Sequence, residues 1–159
     1  MTGAKKELIK DVFGVGARIT IAVTFLWACV HKVADPFDFA LQVATYQILP
    51  LSLVNLQAIV LPWVELVCGA LLVAGLLTRA TALVTCGMNV MFIVAISMAL
   101  AADLHLQCGC FASSAAGEEM DAGLIVRDSG LLVLGAALVY LKPDRLTLDR
   151  WLERRRRHA

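Results

Sequence analysis

Two cysteines separated by a single glycine, Cys108 and Cys110, are the residues of this chain best suited to chemistry, and His105 stands three residues before them. A thiol pair can exchange electrons with another dithiol, and thiols with an imidazole can hold a soft metal. The Cα atoms of residues i and i+2 lie ~5.5–7 Å apart in an extended or bent chain, at the edge of what a disulfide spans. Gly109 has no Cβ and permits the bend. A Cys108–Cys110 bridge is therefore feasible and strained, and a strained, exposed disulfide is more oxidising and more labile. So short a loop makes a poor staple. Three readings fit. One is a redox-active dithiol that exchanges with a thiol or disulfide protein outside the cell membrane. Another is a copper or zinc site built from His105, Cys108 and Cys110, which lacks a fourth ligand at recognisable spacing. The third is structural, with the cysteines bridged elsewhere or free.

A second set of reactive groups sits in apolar surroundings, where charges are expensive and usually functional. Lys32 follows His31, Glu65 lies inside a long hydrophobic run, and Arg127 and Asp128 open another. Pairing of Glu65 with Lys32 or Arg127, and of Asp128 with the remaining base, would offset burial. The blander role is an ion-pair network that holds helices together. The chemical role is activation: a cation near a thiol lowers its pKa and raises its thiolate fraction. His105, Arg127 or Lys32 is expected to act in this way on Cys108 or Cys110. Cys29 and Cys68 are candidate relay thiols, although a buried cysteine usually serves as a small hydrophobe. Cys86 is the least suited to take part.

These groups must be positioned by elements that belong in a bilayer. Of the 159 residues, 60% are hydrophobic, against about half in a soluble domain, and the mean hydropathy is +0.78. Four runs are long enough to cross a membrane, which takes ~20 apolar residues: 12–34, 56–77, 80–102 and 124–141. The middle two are apolar nearly all round, which excludes a soluble helical bundle with polar stripes. The first is too long for a signal-peptide core and reads as a retained span. One all-α integral membrane domain, a four-transmembrane-helix bundle, is the expected fold, with Arg18 snorkelling from the inner half of the first span.

Eleven of the Lys and Arg residues fall on one side: Lys5, Lys6 and Lys10, Arg79, and seven in the basic tail 142–159. The loops 35–55 and 103–123 hold no Lys or Arg and carry acids instead. The positive-inside rule puts both termini in the cytoplasm and the cysteine loop outside. For a bacterial inner membrane that is the periplasm, where disulfides persist. The tail, with Trp151, reads as an anchor on anionic membrane lipid rather than a nucleic-acid-binding segment. In the first outer loop, residues 36–50 place Phe37, Leu41, Ala44 and Ile48 at helical spacing between Pro36 and Pro50. A short amphipathic helix at the interface, able to cover the bundle, is expected there.

The order of features is a "HK" pair ending the first span, an outer Y-x-x-L-P, then "LPWVELVCG", "CGCF", and "RD" opening the last span. It resembles the MauE/DoxX-like membrane proteins, and most closely the methylamine-utilisation MauE branch. Ala112 stands where the family's loop motif usually continues with glycine. The resemblance implies a four-span inner-membrane protein linked to periplasmic thiol redox chemistry. By analogy with four-helix membrane enzymes that couple thiols to a quinone, a quinone is the cofactor this scheme admits. It would be held between the helices by Trp63 and Glu65, with Lys32 and Arg127 nearby. Two other functions compete: a non-enzymatic scaffold that docks a periplasmic partner, and a small-solute or metal transporter. The transporter is disfavoured by the lack of a broken-helix pair, with Pro62 read as lying near the start of its span, where proline is tolerated.

Overall fold

The structure is a computed structural model that describes residues 3–45, 50–101 and 122–141. Among the described residues every element is an α-helix: α1 (Gly3–Ala34), α2 (Pro36–Thr45), α3 (Leu51–Ala74), α4 (Thr78–Ala101) and α5 (Ala122–Leu141). Four of them are long and apolar enough to cross a membrane, over Lys5–Ala34, Leu53–Ala74, Thr78–Met98 and Gly123–Leu141. The all-α, four-span membrane fold expected from hydropathy is found.

Its helix ends differ from the hydropathy boundaries for local reasons. α1 begins nine residues before the expected span. Lys5, Lys6, Glu7 and Lys10 are polar yet good helix formers, and Lys10 pairs with Glu7 at 3.3 Å. At 1.5 Å per residue its 32 residues reach ~48 Å, more than the ~30 Å hydrocarbon core needs. α2 starts on a capped turn: the Asp38 N–H donates to Asp35 Oδ1 at 3.1 Å, with Pro36 in the first helical position, where its missing N–H is harmless. α3 starts after the extended Pro50 and stops at Gly75, whose φ of 69° is left-handed. The Leu76 N–H reaches Leu71 O at 3.0 Å and the Gly75 N–H reaches Leu72 O at 3.3 Å, the paired bonds of a Schellman ending. The apolar Leu76 and Leu77 made the span look longer than the helix. Because α3 begins at Leu51, Pro62 lies in its interior and not near its start, so the Ala58 carbonyl loses its helical donor.

The helices close into a ring. α1 packs most closely on α3 and α4 on α5, while α1–α5 and α3–α4 contacts complete the circuit. Neighbours run antiparallel: Lys32 meets Glu65, while Arg18, further back along α1, meets Gly75, further along α3. Ile21, Phe25, Leu61, Leu72, Leu131 and Leu138 fill the centre. Two glycines permit the close approaches typical of membrane helices. A Cβ at Gly69 would lie 2.7 Å from Leu26 Cγ, and one at Gly135 would lie 2.6 Å from Cys86 Sγ. α2 leans on α3 and α1, burying Phe39 with Ala40 and Val43 behind it. Phe37 and Leu41 of the stripe read from the sequence are exposed, and Ile48 lies outside the described residues.

Candidate functional site

Of the charged residues in the spans, Lys32 in the last turn of α1, Glu65 near the middle of α3, and Arg127 and Asp128 in the second turn of α5 come together, while Asp11 and Arg18 are buried further back along α1. Lys32 Nζ lies 2.5 Å from Glu65 Oε1, with both side chains 1% exposed. The same ammonium sits 5.2 Å from the centre of the Phe39 ring and 5.1 Å from that of Phe92, close enough for cation–π attraction. Lys32 of α1 is thus held by a carboxylate from α3 and by rings from α2 and α4. This offsets the desolvation of a buried ammonium, which a single ion pair repays poorly. Arg127 Nε donates to Asp128 Oδ1 at 3.0 Å, with Asp128 buried and Arg127 partly exposed. The two acids therefore take the two bases, Glu65 with Lys32 and Asp128 with Arg127.

A small recess, with room for about a water or two, opens on these groups. Lys32, Glu65, Asn89, Arg127 and Asp128 supply its main polar lining. Phe25, Phe92 and Leu131 are among its apolar walls, and Thr24 contributes a hydroxyl. Four charges, two of each sign, line a space walled by rings. One polar atom is left over: among the described residues Glu65 Oε2 is buried without a hydrogen-bond partner. A buried polar atom in that state is unusual enough to require a reason.

The residues singled out from the sequence fall into three groups. Lys32, Glu65, Arg127 and Asp128 converge on the recess. Cys29 and Cys68 are buried free thiols, one helical turn from Lys32 and Glu65 respectively, and Glu65 lies within electrostatic reach of both. Trp63 is a correction: it was expected to line the pocket with Glu65, but its side chain is 57% exposed and the recess does not touch it. Two residues from Glu65 on a helix is just over half a turn, so the two side chains face opposite ways. Arg18 is a second correction. Instead of snorkelling it is buried, with its guanidinium laid against Gly75. His31 lies on α1 beside Lys32, with its side chain outside the description. His105, Cys108 and Cys110 lie outside the described residues.

Asn89, Phe92, Phe39 and Thr24 complete the site and were not singled out. Asn89 had a signal: it is the only amide side chain within the 80–102 run. The two phenylalanines had none, since a ring among apolar residues gives no hint that it faces a cation.

Compared with known proteins, the chain matches the family model for methylamine utilisation protein MauE over residues 10–141. No curated protein and no solved structure matches it.

Proposed function

The chain belongs to the MauE family, a family of membrane proteins, and from that premise we propose that it is a thiol–disulfide redox protein of the bacterial inner membrane. Both termini face the cytoplasm, and Cys108 and Cys110 exchange electrons with a protein partner on the periplasmic side. The observation that carries this reading is the Cys-Gly-Cys pair in the segment that joins α4 to α5. That segment leads into α5, whose second turn carries Arg127 and Asp128 beside Lys32 and Glu65. The asymmetry of Lys and Arg between the two sides supports the orientation, and an oxidising compartment supports a cycling thiol pair.

In the exchange step one thiolate of the pair attacks a sulfur of a partner disulfide. A mixed disulfide forms and a partner thiolate leaves. The second cysteine then attacks the mixed bond, releasing the partner as a dithiol and leaving a Cys108–Cys110 disulfide. One disulfide is consumed and one is made, so the step balances without further reagents and runs in either direction. On this reading a cation such as Arg127, six residues into the helix that follows the pair's segment, favours the thiolate.

The test is a titration of the purified protein in redox buffers, with Cys108 and Cys110 followed by alkylation and mass spectrometry. The expected result is a reversible two-electron couple in the exchange range of roughly −300 to −120 mV. A bridge that resists reduction, or two inert thiols, would favour a docking scaffold with structural cysteines.

A further inference from the structure

The recess beside Glu65 has room for about a water or two, so it excludes every ligand but the smallest. Its lining decides which small molecule fits. Glu65 Oε2 is buried without a hydrogen-bond partner among the described residues, and a carboxylate facing an ammonium can only accept. The occupant must therefore donate. The Asn89 amide, 3% exposed, both donates and accepts. The Thr24 hydroxyl donates to Thr20 O at 2.9 Å and keeps lone pairs to accept with. Arg127 and Asp128 bring further donors and an acceptor to the same space. Charge is already balanced, Lys32 with Glu65 and Arg127 with Asp128. An anion or a cation would upset both pairs, and a cation would also sit against the Lys32 ammonium. The occupant is thus neutral, about one heavy atom in size, and able to give and take hydrogen bonds, which describes water.

We infer that the recess is a hydration site in which a bound water donates to Glu65 Oε2 and is held at its oxygen by the Asn89 amide. A buried water ordinarily makes about three hydrogen bonds, and the Thr24 oxygen or the Asp128 carboxylate takes its other hydrogen. The entry lies at Arg127, whose side chain is 31% exposed, against 5% for Asp128 and 1% for Lys32 and Glu65. Water that passes the guanidinium reaches a carboxylate near the middle of a span. The Lys32–Glu65 pair is then open to exchange with solvent and not sealed, although neither side chain is exposed. The site depends neither on Cys108 and Cys110 nor on the function proposed above.

The experiment uses hydroxyl radicals made by X-ray radiolysis of the detergent-solubilised full chain. They mark side chains that touch water, and mass spectrometry counts the oxygen added. Leu131 lines the recess and Leu61 does not, while both are 7% exposed. Leu131 should be oxidised severalfold more than Leu61. In heavy-oxygen water the label should enter the Phe25 ring, and Arg127→Ala, which widens the entry, should speed its arrival. Lys32→Met/Glu65→Leu removes the acceptor and should bring Leu131 down to the level of Leu61, because an apolar cavity stays dry. Asn89→Leu, which keeps both ion pairs, should lower it part of the way. Trp63→Ala, on the exposed side of α3, should change nothing. Equal oxidation of Leu131 and Leu61 in the unaltered chain overturns the inference, as does a Leu131 signal that neither Asn89→Leu nor the double variant reduces. A cation site would overturn it too: sodium chloride would then raise the unfolding midpoint above that in choline chloride of equal ionic strength, and Glu65→Gln would abolish the difference.

Discussion

The bundle buries polar groups at both ends, and the two ends are built in opposite ways. At the turn between α3 and α4, the Arg18 guanidinium lies against Gly75, where an added Cβ would come within 2.7 Å of Nη1. The absence of a side chain at Gly75 is what admits the cation, and the cation meets the negative end of α3. At the loop end, a matched set of charges borders a recess, and Glu65 Oε2 has no partner among the described residues. An unpartnered oxygen alone does not mark a site, because Thr78 Oγ1 at the turn end is also unpaired among the described residues. A neutral hydroxyl loses far less by this than an ionised carboxylate does. The turn end is a cation fitted to a helix ending; the loop end is a charged surface with a missing contact.

The largest test of that contrast removes a charge from the loop end. Lys32→Met leaves Glu65 buried without its counter-ion and should destabilise the protein by about 3–5 kcal/mol. The double variant Lys32→Met/Glu65→Leu removes both charges and should recover most of the loss. Denaturant unfolding in detergent measures both, and the cycle isolates the pair energy. A single variant as stable as the wild type would mean that Lys32 and Glu65 do not hold α1 to α3.

The next test acts on the turn end. Gly75→Ala forces a side chain into a left-handed conformation and into the Arg18 guanidinium. The strain alone is worth about 1–3 kcal/mol. Adding Arg18→Ala relieves the collision and not the strain, so the double variant separates the two causes. If Gly75→Ala unfolds at the wild-type denaturant concentration, the turn end is not fitted in the way described.

A smaller effect is expected at the second ion pair of the loop end. Arg127 is 31% exposed and its partner Asp128 is 5% exposed. Solvent already screens the arginine but Asp128 is left buried, so Arg127→Ala should cost about 1–3 kcal/mol, below Lys32→Met, in the same unfolding measurement. An equal loss would show that the cluster acts as one network rather than as a buried pair beside a half-exposed one.

Much of this was legible before any coordinates. Hydropathy located four spans, and the rarity of charge in them pointed to Lys32, Glu65, Arg127 and Asp128. What sequence could not supply was which acid takes which base, because that depends on the antiparallel register of α1 against α3, set by approaches such as Gly69 on Leu26. Hydropathy also misread the ends. It is blind to the helix-forming charges that open α1 and to the Gly75 turn that stops α3 among leucines. Trp63 was misplaced because shared hydrophobicity says nothing about which face of an all-apolar helix turns inward. Asn89 needed the fold to bring α4 beside Glu65.

The smallest effect tests whether the glycines of the turn end and of the helix contacts act through geometry or merely as glycines. A Cβ at Gly16 or Gly87 meets nothing within 4 Å. Both positions are helical and exposed, so replacement by alanine should be neutral or stabilising by up to about 1 kcal/mol, the ordinary difference in helix propensity. Gly69→Ala and Gly135→Ala, made in parallel, drive a methyl into Leu26 and into Cys86 Sγ, and overpacking of this kind costs about 1–3 kcal/mol. The sign should therefore divide the four variants into two pairs by what each Cβ meets. If all four alanines lower stability alike, backbone flexibility rather than close approach is what the bundle draws from its glycines, and the fit of Arg18 against Gly75 loses its explanation.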